Sequence, residues 1–198
     1  MLQKRVVIVA DIDLSKIKGD IVRTVALASE LKNNEFDITL ITPRMSGNKP
    51  AYDLEGINSI QTSIKIRGGS VFNVLERTWS IIKEADKLRK TFKRDKQPTF
   101  MLETSIVGGY FAVSRFPEYI LDVHGIYYSE IDYQSLPWYI PKGLYRRYNK
   151  YLEKTGCRKA EKIITVSNSM SKFIIDQFKV PDEKVQKVTN GYFELKIN

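Results

Sequence analysis

Arg5-Val-Val-Ile-Val-Ala10 is a continuous β-branched run, the composition of a strand buried on both faces. A polar, irregular segment follows from Asp11 to Lys18. Between Asp20 and Asn33 the apolar residues Ile21, Val25, Ala28 and Leu31 recur at the spacing of one helix face. Phe36-Asp-Ile-Thr-Leu-Ile-Thr42 then reads as a second strand, stopped by Pro43. Strand, helix and strand in this order specify a parallel pair joined by a crossover.

The alternation continues along the chain. Ile57 to Ile66 reads as a third extended stretch, broken by Gly68-Gly69. Val71, Leu75, Trp79, Ile82, Ala85, Leu88 and Phe92 recur every three or four residues and predict a long amphipathic helix. Lys83, Lys87, Arg89, Lys90, Lys93 and Arg94 occupy its other face. Pro98 to Glu103 predicts a fourth strand, Gly108 to Arg115 a short helix, and Glu118 to His124 a fifth strand that ends at Gly125. Tyr127 to Pro141, with Pro137, has no period and reads as a loop. Lys142 to Cys157 is helical, with Leu144, Tyr148, Tyr151 and Leu152 on one side. Lys162 to Val166 gives a sixth strand. Ser167 or Ser169 can cap the next helix, with Met170, Phe173, Ile174 and Phe178 facing inward and Val180-Pro181 ending it. Val185 to Val188 is a seventh strand, and Asn190-Gly191 a turn. The predicted class is α/β, a Rossmann-like doubly wound and mostly parallel sheet of roughly seven strands.

Composition agrees with a folded domain. The 198 residues are 42% hydrophobic and 28% charged, too apolar for a disordered chain. No run approaches the ~18 apolar residues of a spanning helix. The apolar stretch near the N-terminus is too short for a secretory core, so the expected location is cytoplasmic. A single cysteine, Cys157, excludes an intramolecular disulfide, and a single histidine, His124, argues against zinc. No cofactor is expected. Lys and Arg number 32 against 23 Asp and Glu, a net charge of +9. Such a balance suits nucleic acid, an anionic membrane face or a phosphorylated ligand, and equally a lysine-rich solvated surface.

In doubly wound sheets ligands bind outside the carboxyl ends of the strands. The loops at Asp11–Asp20, Glu103–Gly109 and His124–Tyr128 therefore draw the search for chemistry. Lys18-Gly19-Asp20 opens a helix, whose first amides can face an anion. No G-x-G-x-x-G and no G-x-x-x-x-G-K-[ST] occurs, which excludes the dinucleotide fingerprint and the P-loop. His124 can bond a sugar or phosphate oxygen, act as acid or base, or be satisfied inside the sheet. Tyr127, Tyr128 and Tyr133 can stack on sugar faces or pack as a lid. Asp11 and Asp13 can hold acceptor hydroxyls or cap their own loop through Asx turns. Trp138, Tyr139, Lys142, Arg146 and Arg147 mix aromatics with cations, the pattern of a membrane contact, or of a crossover helix with a solvated basic face.

Ala160-Glu-Lys-Ile-Ile-Thr-Val-Ser167, then a helix, Val180-Pro181-Asp-Glu-Lys-Val185 and Val188-Thr-Asn-Gly191 closely resemble the end of the N-terminal domain of family 4 retaining glycosyltransferases, which have the GT-B fold. Arg23 to Leu31, Phe36 to Thr42 and Asp122-Val-His-Gly125 look like further family segments, so the resemblance spans nearly the whole chain. It implies an acceptor-side domain over residues 1–190 and, over 191–198, the start of a linker to a C-terminal donor-binding domain absent from the sequence. It implies transfer of a hexosyl group from a nucleotide sugar to a glycan or lipid-linked acceptor, without metal and with retention, in polysaccharide biosynthesis. It implies Gly19, next to Asp20, near the donor diphosphate and His124 on the transferred sugar. Ser167 and Asn190-Gly191 match structural positions. The expected location is cytoplasmic or peripheral at the inner membrane face, and the isolated half is expected to be inactive. The other reading is a non-catalytic basic α/β binding subunit: the partner of a split transferase, or a binder of nucleic acid or of anionic membrane. No recognised nucleic-acid motif supports specific binding there.

Overall fold

The computed structural model describes residues 4–65, 71–92, 98–103, 116, 118–133, 136 and 138–189. Two compact units are present: one contains Met1–Leu102, the other is Glu103–Thr189.

In the first unit, β1 (Arg5–Val9) is followed by α1 (Gly19–Asn33), β2 (Asp37–Arg44), β3 (Asn58–Lys65), α2 (Val71–Thr91) and β4 (Thr99–Glu103), whose last residue opens the second unit. The strand order is β3-β2-β1-β4. All pairings are parallel, with Val7 opposite Thr39 on one side and Phe100 on the other. The centre is β1, and Val6 to Val9 are buried as its β-branched run predicts. From α1, Ile21, Val25 and Ala28 face the core, while α2 turns Thr78, Ile81, Ile82 and Ala85 inward and packs across β1, β2 and β3. The strand order reverses between β1 and β4, so this unit holds a topological switch point. Pro43 does not stop β2. The strand runs through it to Arg44, and the pairing with β3 shifts between Thr42 and Arg44. Proline has no N–H for the ladder, and a register shift accommodates it.

In the second unit, β5 (Ile120–Val123) leads to a short helix α3 (Tyr127–Glu130) and a 3-10 turn (Ile131–Tyr133). Then come α4 (Lys142–Lys159), β6 (Lys162–Thr165), α5 (Asn168–Phe178), a second 3-10 turn (Asp182–Lys184) and β7 (Val185–Lys187). The order is β5-β6-β7, again parallel. Ser167 caps α5, its Oγ accepting the amide of Met170 at 3.2 Å. Lys179 ends α5 in the left-handed region. Phe173, Phe178 and Tyr128 form an aromatic cluster with ring centroids 5.6 to 6.4 Å apart. Tyr119 Oη donates to the Gly156 carbonyl at 2.6 Å, next to the buried Cys157.

Two local expectations fail here. The segment from Tyr127 is not all loop, because buried Tyr128 and Ile131 anchor a helical turn. On α4 the buried stripe is Asn149, Leu152, Glu153, Gly156 and Cys157; Leu144, Tyr148 and Tyr151 point outward. Periodicity finds a stripe but not which stripe meets the core. Gly68-Gly69, Lys93 and Arg94, the helix expected at Gly108 to Arg115, Pro137, the Asn190-Gly191 turn and the side chains of Val71 and Leu75 lie outside the described residues.

Candidate functional site

The loop after β1 is built around two aspartates. Asp11 meets Arg77 of α2 in a two-pronged ion pair: Nε donates to Oδ1 at 2.5 Å and Nη2 to Oδ2 at 2.7 Å, with both side chains nearly buried. Between the aspartates Ile12 enters the core, as does Leu14 beyond them. Asp13 is buried as well. Its Oδ1 accepts the Ser15 amide and hydroxyl and the Ser46 amide, and its Oδ2 accepts the Ser46 hydroxyl at 2.5 Å. Burial by itself would raise the Asp13 pKa. The hydrogen bonds from Ser46 and Ser15 outweigh it and hold the carboxyl below its ordinary range. Asp13 thus ties the β1 loop to the turn after β2, and its bond to the Ser15 amide is an Asx turn.

Gly19 opens α1 into free space: a Cβ there would meet nothing within 4 Å. Asp20 Oδ1 accepts the Ile21 amide at 2.9 Å, so one of the helix's first donors is already taken by a carboxylate from the same turn. Tyr52 lies close by. Burial raises its hydroxyl pKa, and the charge of Asp20 raises it further. Tyr52 Oη is buried and finds no hydrogen-bond partner among the described residues. A buried hydroxyl in that state is costly unless a ligand or water meets it.

In the second unit, His124 follows β5 directly. Its Nε2 is 3.0 Å from Oε1 of Glu103, at the end of β4, with side chains 18% and 5% exposed. This is an ion pair when the imidazole is protonated. Glu153 rises from the middle of α4 and accepts the amides of Tyr127 at 2.7 Å and Tyr128 at 2.8 Å, one on each carboxylate oxygen. Burial lifts its pKa to about 7; the two amides pull it down, and Glu130 pushes it up. The loop that carries His124 is therefore clamped by a carboxyl that changes charge near neutrality. A Cβ at Gly125 would come within 2.9 Å of Oε1 at the end of the Glu130 side chain.

The two tyrosines part company. The Tyr128 ring is buried against Phe173 and Phe178, with Lys150 Nζ 5.3 Å from its centroid. Tyr127 is half-buried, its hydroxyl 3.4 Å from that of Tyr145. Tyr133 is almost fully exposed. Trp138 is 95% exposed and meets Tyr139 edge-on at 6.0 Å. Lys142 Nζ donates to the Asp132 carbonyl, Arg146 pairs with the Asp132 carboxylate at 3.4 Å, and Arg147 is exposed.

Sequence reading singled out His124, Asp11 and Asp13 but not their partners. Arg77 is 66 residues from Asp11, Ser46 is 33 from Asp13 and Glu153 is 25 from Tyr128. No local pattern marks such pairs. Among the described residues no group of three or more His, Cys, Asp or Glu could hold a metal ion. None of their helices is long and apolar enough to cross a membrane.

Known structures share this fold. Sucrose-phosphate synthase from Thermosynechococcus elongatus superposes with a TM-score of 0.66 at 11% identity, over 96% of this chain and 48% of that one. Medicago truncatula UGT71G1, complexed with UDP-glucose, gives 0.56 at 12% identity, over 96% and 51%. A glycosyltransferase from Rickettsia africae gives 0.52 at 16% identity, over 96% and 44%. The chain spans about half the length of these structures. No curated protein matches it in sequence. The model of Glycosyltransferase Family 4 matches residues 21–192, most of the chain, and with its Rossmann-like α/β fold and GT-B neighbours the protein belongs to glycosyltransferase family 4.

Proposed function

We propose that this chain is the acceptor-side half of a retaining glycosyltransferase that moves a hexosyl group from a nucleotide sugar to a glycan or lipid-linked acceptor. Residues 1–190 form that half, and 191–198 lead toward a donor-binding domain. The observation that carries the reading is the His124–Glu103 pair, a titratable ring and a buried carboxylate at two strand ends. Complexes of UGT71G1 with UDP-glucose and of TcCGT1 with UDP support a nucleotide-sugar donor for the fold.

In this reading Glu103, 3.0 Å from Nε2, orients the imidazole. His124 then bonds the transferred sugar and stabilises charge that develops as the diphosphate leaves, without a metal. The amides of Gly19 and Asp20 face the donor diphosphate. Because the Asp20 carboxylate stands at the same helix start, it must turn away from that ligand. Of the tyrosines, Tyr127 is the better placed to touch a sugar, and Tyr128 supports it from the core. Asp11 and Asp13 hold the loop in shape. Without the donor-binding half the chain binds acceptor and does not transfer.

Turnover of the complete enzyme, measured over a panel of nucleotide sugars, tests this. His124→Ala lowers kcat at least about tenfold, equivalent to ~1.4 kcal/mol of lost transition-state stabilisation. Glu103→Gln lowers kcat as well and shifts the pH profile. Unchanged turnover in His124→Ala removes the histidine from the site.

A further inference from the structure

We infer that Glu153 is a positioning residue: reaching from α4, it caps α3 where the adjoining chain does not, and thereby sets the stretch from His124 to Tyr128 where the reaction needs it. The consequence for turnover rests on the transfer reaction proposed above; the capping does not.

A helix leaves its first amides without partners of its own, and a Ser, Thr, Asp or Asn just before it is the common acceptor. The residue just before α3 is Ile126, whose side chain accepts nothing. Its carbonyl takes the Ser129 amide at 3.0 Å. The amides of Tyr127 and Tyr128 are left, and Glu153 accepts them at 2.7 and 2.8 Å, one on each oxygen. Two donors of one helix start are thus met by a side chain 26 and 25 residues away.

An acceptor side chain at Ile126 would meet one of these amides without burying a charge. Glu153 is 3% exposed, and burial lifts its pKa to about 7 although both amides pull it down. What the buried carboxyl adds is a link between elements. Leu152, Gly156 and Cys157 lie on the same buried stripe and hold α4 in the core, so Glu153 has a fixed base. Only His124, Gly125 and Ile126 separate the end of β5 from α3. The sheet holds one end of this short stretch and Glu153 the other, which leaves the backbone at His124 little freedom. The 3.0 Å approach of its Nε2 to Glu103 depends on that hold.

Both oxygens matter. A carboxylate accepts on each, whereas a protonated carboxyl or a glutamine amide carries hydrogen on one side. Protonation of Glu153 therefore leaves one of the two amides without its acceptor. Glu130 of α3 faces the carboxyl and raises its pKa beyond the effect of burial. Burial, and then the charge of Glu153, raise the Tyr128 hydroxyl and the Cys157 thiol. Lys150 of α4 faces the Tyr128 ring, Arg146 pairs with Asp132 of the 3-10 turn, and Lys172 and Asp176 of α5 are exposed.

Two measurements test this, one of them without turnover. In amide NMR spectra of the 198-residue chain, Tyr127 and Tyr128 should shift together with a midpoint at about pH 7, and Glu153→Gln should abolish that step. The single histidine of the chain gives one imidazole signal, whose midpoint should move in the same variant. In the complete enzyme, Glu153→Gln should lower kcat per folded molecule about tenfold, the effect of a displaced reacting group, with acceptor KM little changed. Glu153→Asp, which keeps two oxygens on a shorter stem, should recover part of the loss. Parental amides that ignore pH overturn the inference, as does a Glu153→Gln enzyme whose only change is a lower melting temperature. Transfer from no nucleotide sugar, or full turnover in His124→Ala, sinks the proposed function instead; the amide and imidazole shifts then still decide whether Glu153 sets the loop.

Discussion

The loop after β1 and the loop after β5 both lean on buried carboxylates, and they use them in opposite ways. Asp11 and Asp13 are met by Arg77 and by two serines, and the Asp13 carboxyl is held below its ordinary range. That loop is fastened by an ion pair at Asp11 and by hydrogen bonds that hold the Asp13 carboxyl ionised. Among the described residues Glu153 accepts two amides, and burial lifts it to about 7. Beside it His124 faces Glu103. Full satisfaction fixes a backbone; groups balanced between two protonation states can move a proton or meet a changing charge. The first loop is fastened by satisfied carboxylates, and in the function proposed above the second carries the chemistry.

The sharpest way to break this contrast is to open the fastened loop. Arg77→Met removes the two-pronged ion pair from nearly buried Asp11 and should lower unfolding free energy by about 3 kcal/mol. Adding Asp11→Asn should recover part of that, because the buried charge is gone. Chemical denaturation of the single and double variants measures both, and a Met variant as stable as the parent would make Asp11 no anchor at all.

The second test reads the other loop through pH. The folded pKa of Glu153, about 7, lies above its ordinary 4.5, so the folded state holds the proton more tightly. The stability this gives is complete below about pH 4.5 and is lost as pH rises through about 7, a fall of about 3 kcal/mol. Glu153→Gln should flatten that slope between the two values. Denaturant unfolding over the range decides it, and an unchanged slope would assign the pH dependence to another group.

The smallest effect lies at the end of α5. Lys179 sits in the left-handed region with φ 57°, where a Cβ is unfavourable. Lys179→Gly should add about 1 kcal/mol, seen as a raised melting temperature.

β1, β2, β4, β5 and β6 were legible as short apolar runs, β1 most clearly, whereas β3 and β7 are mostly polar, and β3 was legible by its alternation. A serine cap for α5 was legible at Ser167 or Ser169, and Ser167 takes that place. Pro43 misled because a missing N–H stops a ladder only where the register cannot shift. Leu144, Tyr148 and Tyr151 misled because their spacing suits a core face, and only packing shows that Leu152 and Gly156 hold that place. His124 stood out by position, but the carboxylate that gives it meaning is 21 residues upstream on another strand. Glu153 reads in sequence as one more solvated charge. Its role depends on two backbone amides, and amides leave no mark in a sequence.

Cys157, the one thiol in the sequence, lies in the buried stripe of α4 beside the carbonyl that Tyr119 grips. Burial drives its pKa far up, so the folded protein offers almost no thiolate to an alkylating reagent. Modification then waits for the second unit to open. The rate at which an added reagent consumes this thiol is a clock for that opening, supplied by the natural sequence and readable by mass without a label.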